Sequence, residues 1–290
     1  MAVYEHTYKP YAGKLTPEWS RFLIIPRHAF RDVFASKIFI GFFALCFICP
    51  LVMAILIYLH YNVNALLIME LKVSDVISIN GEFFLIFLGV QLWCAFFLTV
   101  LIGPPLVSRD MSNNALPLYL CRPFSRLEYM VGKMSVLVIL LSAITWVPGL
   151  LLFIFQAYLE GAGWLVHNLW IAAAIAIGSM ASVIMLALLS MTLSAWLKWR
   201  IAASAGLIAV FMIPRAIGAL ITVMFNTRWG NIISLGAVAD SINAALFRLE
   251  LGPNIKLLPP PLAAWIALGV FCALCVLLLS RRVRAYEVVR

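Results

Sequence analysis

Six stretches of about twenty residues carry almost no charge, and polar segments rich in Lys, Arg, Asp, Asn and Pro separate them. They cover residues 38–59, 83–107, 134–158, 169–196, 201–225 and 262–280. None alternates apolar with polar positions, so each reads as a helix and not as a barrel strand. Before the first lies an amphipathic segment, 16–37. Thr16 is a good N-cap, and Pro17 suits the first helical position. Trp19, Phe22, Leu23, Ile25, Phe30, Val33 and Phe34 form its apolar side, while Arg21, Arg27, Arg31 and Lys37 can reach headgroups. Pro26 is expected to kink or break it. Between the fifth and sixth stretches, residues 232–249 repeat apolar positions at helical spacing with Ser234, Asp240, Asn243 and Arg248 interleaved. That segment predicts a helix lying on, or dipping into, the outer leaflet. Pro214 can end the fifth stretch early, with 217–225 turning back as part of the dip.

Composition makes the bilayer the solvent. Of 290 residues, 64% are hydrophobic and 11% are charged, against about 25% charged in soluble domains. The fold class that follows is an all-α membrane protein with six transmembrane helices. The expected division is a cytoplasmic segment with an interface helix at 1–37, a membrane domain at 38–280 and a basic tail at 281–290. The 37 residues before the first span are longer than a cleavable signal's usual lead-in, so that span is expected to be retained. With a cytoplasmic N-terminus, sixteen of the 21 Lys and Arg fall inside, four outside, and Arg215 within a span. This bias places both termini in the cytoplasm and predicts a multi-pass protein of the inner (cytoplasmic) membrane. The net charge of +9 is spread over four segments, so it is a topology signal that meets anionic lipid, with no nucleic acid implied. Cys46, Cys49, Cys94, Cys272 and Cys275 lie in spans and Cys121 in a cytoplasmic loop, so no disulfide framework is expected.

The loop between spans two and three carries the most information. It reads SRDMSNNALPLYLCRPFSRLEYMVGK over 108–133. Its elements Arg109-Asp110, Asn113-Asn114-Ala115-Leu116, Leu120-Cys121-Arg122-Pro123-Phe124-Ser125-Arg126, Tyr129 and Gly132-Lys133 resemble the corresponding loop of membrane subunits of type-2 ATP-binding-cassette (ABC) transporters. The family often has glutamate where Ser108 or Asp110 stands, which is a departure. The resemblance implies a cytoplasmic coupling helix between spans two and three, an interface helix before the first span, and a helical re-entry between the last two. It implies contact with cytoplasmic ABC ATPase subunits through Arg109, Asp110, Asn113, Asn114, Arg122, Pro123 and Arg126, with Trp19, Arg21, Arg27 and Arg31 on the interface helix. Read without the resemblance, the same loop is a basic cytoplasmic connector that binds phospholipid.

The chain carries no engine of its own. The nearest approach to a phosphate-binding loop, Gly132-Lys133-Met134-Ser135, has Leu127 where the first glycine belongs and Met134 at the final hydroxyl position. ATP and Mg are expected in a separate ATPase, with no cofactor and no catalytic residue here. Six spans make half a transporter, so a second copy or a homologous permease is expected as partner. Arg215 lies eleven residues before Asn226, ~16 Å along a continuous helix. Either it holds an anionic headgroup or phosphate on the substrate path, or Pro214-Arg215 marks the real end of the span and the guanidinium snorkels to the surface. Cys46/Cys49 and Cys272/Cys275 stand three apart in two spans, an arrangement that reads as small hydrophobes before it reads as a soft-metal site. His6, His28, His60 and His167 make no metal-binding spacing, and no nucleophile elbow occurs, which leaves an intramembrane enzyme without support. Gln91, Thr99, Gln156, Ser179, Ser182, Ser190, Thr192 and Ser194 read as helix–helix glue, and the 179–194 run can form a dimer seam. Export driven by the ATPase is the leading function, with a non-transporting scaffold or mechanotransmitter as the alternative.

Overall fold

The structure is a computed structural model that describes residues 23–62, 79–113, 126–197, 199–249 and 258–282. It is helical throughout the described residues. Six segments are long and apolar enough to cross a membrane: Lys37–Tyr61, Gly81–Ser108, Leu127–Glu160, Ala162–Trp196, Arg200–Phe225 and Pro261–Arg282. Each contains one of the six stretches read from the sequence, apart from residues at the ends. The first is built from α2 (Lys37–Leu45) and α3 (Ile48–Tyr61), and α1 (Ile24–Phe34) precedes it. The second is α4 (Gly81–Ser112) and the third is α5 (Arg126–Ile144) with α6 (Trp146–Glu160). The fourth is α7 (Ala162–Trp196) and the fifth α8 (Arg200–Phe225). A 3-10 turn (Gly230–Ile233) and α9 (Leu235–Leu246) come before the last span, α10 (Pro261–Arg282).

Proline places the irregularities, and side chains from neighbouring helices repair them. Pro50 has no N–H for the Cys46 carbonyl, and the chain breaks between α2 and α3 at that point. The buried Gln91 amide of α4 donates to that carbonyl instead, at 3.0 Å. Pro104 likewise frees the Val100 carbonyl inside α4, and Ser204 of α8 donates to it at 3.2 Å. One turn further, Ser194 of α7 inserts into the α4 ladder. Its hydroxyl accepts from the Ser108 amide at 2.9 Å and donates to the Pro104 carbonyl at 2.6 Å. In hydrocarbon no water can take these roles, so each repair also fastens one helix to another. Pro148 similarly follows the break at Thr145, whose hydroxyl donates to the Leu141 carbonyl at 2.8 Å.

Span four is the axis of the molecule. α7 packs against α4, α5, α6, α8, α9 and α10. Ser179, Ser182, Ser190, Thr192 and Ser194 are all buried against the chain's own helices. The idea that 179–194 forms a dimer seam is therefore corrected: these small residues let the neighbouring helices approach α7 closely. α1 packs on α5 and α2. It buries Ile25, Pro26 and Ala29 and leaves Arg27 and Arg31 exposed, as an amphipathic helix should. Pro26 lies in the first turn of α1, where its missing N–H would have no helical partner, and residues 16–22 of the expected longer helix lie outside the described residues.

Two further expectations are revised at the far end, the end away from the 113–126 connection. α8 runs unbroken through Pro214 to Phe225 and stops at Asn226, which adopts a left-handed conformation at φ 46°. Residues 217–225 do not turn back. The 3-10 turn does so, packing against Gly218, Ile221 and Thr222. α9 then starts deep: a Cβ on Gly236 would overlap the Arg215 guanidinium and stand 3.4 Å from Phe211, fourteen residues before Phe225, or ~21 Å along α8. From there α9 climbs. Asn243 abuts Gly178 at the middle of α7, the Ser241 hydroxyl donates to the Pro259 carbonyl at 2.7 Å, and Arg248 reaches the Trp170 ring near the start of α7 at 5.0 Å. α9 is thus packed among the spans and buried along most of its length.

Candidate functional site

The roots of the connector are tied by a buried polar cluster. Asp110, near the end of α4, accepts a hydrogen bond from the Tyr129 hydroxyl at 2.7 Å and pairs with the Lys133 ammonium at 2.9 Å. Lys133 also lies 5.9 Å from the centre of the Tyr129 ring. Tyr129 is 1% exposed, and the Asp110 and Lys133 side chains keep only 14% and 10% of their surface. Tyr129 and Lys133 stand four apart on α5 and so share one face, which turns toward α4. Ser194, already inserted in α4, joins α7 to the same end. Arg282 of α10 adds a bond to the Ala195 carbonyl at 3.4 Å and lies over the Trp196 ring. Four spans are therefore clamped where the connector leaves the membrane layer.

Of the residues read as ATPase contacts, Asp110 is engaged inside the chain and Asn113 is exposed at the end of α4. Asn114, Arg122 and Pro123 lie outside the described residues, as do the side chains of Arg109 and Arg126 and the expected coupling helix itself. Of the residues expected on an interface helix, Arg27 and Arg31 stand exposed on α1, while Trp19 and Arg21 lie outside the described residues. Sequence reading placed Tyr129 and Lys133 only as the closing notes of the loop motif. Their signal was the four-residue spacing opposite an acid at the end of the preceding span.

Arg215 has a partner that spacing alone did not reveal. Its guanidinium donates to the Asp240 carboxylate of α9 at 3.1 Å and lies 5.4 Å from the centre of the Trp93 ring of α4. Because α8 continues past Pro214, the reading that Arg215 sits at the end of a span is set aside. Phe211 holds the wall by stacking on Phe96 at 4.4 Å and meeting Trp93 edge-on at 6.1 Å. Gly89, Trp93, Ser182, Phe211, Arg215 and Asp240 line a cleft of about 440 Å³, counting its open mouth.

The cysteines do not converge. The Cys275 carbonyl accepts from the Thr192 hydroxyl of α7 at 3.4 Å. Among the described residues no group of three or more His, Cys, Asp or Glu is placed to hold a metal. At the far end, Tyr61, Gln156 and Glu160 form a compact polar knot with bonds of 2.5–2.7 Å that joins α3 to α6. No protein-family model matches the chain, and no curated protein matches it in sequence.

Proposed function

We propose that this chain is the membrane half of an ABC-type exporter, driven by a separate cytoplasmic ATPase through the 109–126 connector. The observation that carries the reading is the connector phrase together with the joint at its roots. A lever works only if its base is stiff, and Asp110, Tyr129 and Lys133 tie the two spans that bear the connector to each other. α1 rests on α5, the helix that continues the connector, so Arg27 and Arg31 stand on a second element able to pass motion to the same span. ATP and Mg are bound by the ATPase. A second copy, or a homologous permease, completes the transport path. The basic segments hold the connector and both termini at the cytoplasmic face of the inner membrane. Arg215, charged and ~16 Å in from the end of its span, marks the path taken by an amphipathic or lipid-linked cargo.

The test is affinity purification of the tagged chain from membranes, with charge reversal at Arg122 and Arg126. The parent chain should bring down a nucleotide-hydrolysing protein, and the double variant should lose it while still inserting in the membrane. Equal recovery with both chains would refute the docking assignment.

A further inference from the structure

The cleft around Arg215 holds more recognition chemistry than the ion pair uses. Arg215 and Asp240 keep 40% and 43% of their side-chain surface exposed, at a depth where lipid tails can offer no hydrogen bond. Among the described residues one bond joins them, at 3.1 Å. It leaves most of the guanidinium donors and one carboxylate oxygen unused. The Trp93 ring packs on the Arg215 guanidinium and lines the same cleft as Asp240, and a carboxylate with an aromatic face is the combination that holds an alkylammonium. Gly236 lets the Arg215 guanidinium pack against α9, where a side chain would collide with it, and Gly89 faces open space, since a Cβ there would meet nothing. Ile86, Val90, Phe97 and Leu101 form an exposed apolar stripe along α4 that runs through Trp93.

We infer that this cleft binds the headgroup of a zwitterionic amphiphile, with a phosphate on Arg215, an ammonium between Asp240 and Trp93, and the acyl chains along the α4 stripe. The exchange keeps charge balanced. The internal pair opens, and each member gains a partner of opposite sign from one ligand. A purely anionic headgroup would satisfy Arg215 and strand Asp240, and stranding one member of a pair at depth is strongly unfavourable. A neutral diacylglycerol would leave the pair closed and gain nothing from it. The inference rests on the reading of Arg215 as part of the cargo path and names the class of cargo.

The experiment measures lipid binding to the purified full chain in detergent, with phosphatidylethanolamine, phosphatidylglycerol and diacylglycerol of matched chains as probes. Phosphatidylethanolamine should bind about tenfold tighter than either of the others, the size expected for one charge-assisted hydrogen bond. Arg215→Gln should bring it down to the diacylglycerol level. Asp240→Asn should erase its advantage over phosphatidylglycerol. The double variant Arg215→Gln/Asp240→Asn leaves no lone charge to disturb folding, and it too should lose the preference. Equal binding of the three lipids by the parent chain, tighter phosphatidylglycerol, or an unchanged preference in the double variant would each overturn the inference. Soluble phosphorylethanolamine binding as tightly as the lipid would also overturn it, by removing the need for acyl chains. Binding needs no ATPase, so the two readings fail separately. Absent lipid preference with an intact connector-dependent ATPase partner sinks this inference alone. Preserved preference with no such partner sinks the transporter reading alone.

Discussion

Lys133 and Asp110 are the two charges that the helices at the connector end cannot afford to separate. Each is largely covered, and the 2.9 Å contact with the Tyr129 hydroxyl bond beside it satisfies them together. Asp110→Asn should therefore destabilise the chain by about 3–5 kcal/mol, because it leaves a covered ammonium without its counter-charge. Asp110→Asn combined with Lys133→Met should recover most of that loss. Thermal melts of the purified variants in one detergent check both outcomes, and a double variant as weak as the single would mean that the pair does not carry the joint. The sequence supports this joint only partly. The acid at the end of one span and the base at the start of the next were visible as loop charges, but their inward turn depends on where α4 and α5 begin and end. Asp240 was less visible still. It stands 25 residues from Arg215, across a turn and a change of direction. No helical spacing links the two, and the usable clue was only that each is an isolated charge in an apolar helix.

α9 shows what periodicity conveys and what it omits. The apolar spacing over 232–249 predicted a helix, and a helix spans Leu235–Leu246. Its depth was not in that pattern, since a helix on a leaflet surface and one inserted among spans can share the same stripe. What decides depth is small residues at its contacts: Gly178 on α7 meets Asn243, and Gly236 on α9 itself meets Arg215 of α8. Gly178→Ala would drive a Cβ into the Asn243 amide, and such crowding typically costs about 1–3 kcal/mol. Adding Asn243→Ala should relieve it. Melting temperatures of the single and double variants decide the matter, and a harmless Gly178→Ala would show that α9 stands off α7. Pro214 misled for a related reason. A proline in a soluble helix usually breaks it, but in a span the backbone has no better alternative to helix, and α8 continues. At Pro50, a neighbouring side chain takes the freed carbonyl.

At the scale of the whole molecule, six spans were legible because hydrocarbon demands about twenty apolar residues for each crossing. Their arrangement around α7 was not, because helices in lipid associate through close packing and scattered polar bonds, which hydropathy does not record. Which way the bundle faces rests on sixteen of 21 Lys and Arg falling on one side, and the function rests on that direction, since ATP is met only in the cytoplasm. Cys121 is a native reporter, the one cysteine of the connector, while the other five lie in the spans. The most direct test treats intact cells with a membrane-impermeant maleimide, then repeats the labelling after the membrane is opened, with Cys121→Ser as the control. The connector is expected to be labelled only after opening, and only in the chain that keeps Cys121. Labelling of Cys121 in intact cells would put the connector on the outside and leave no ATPase within its reach.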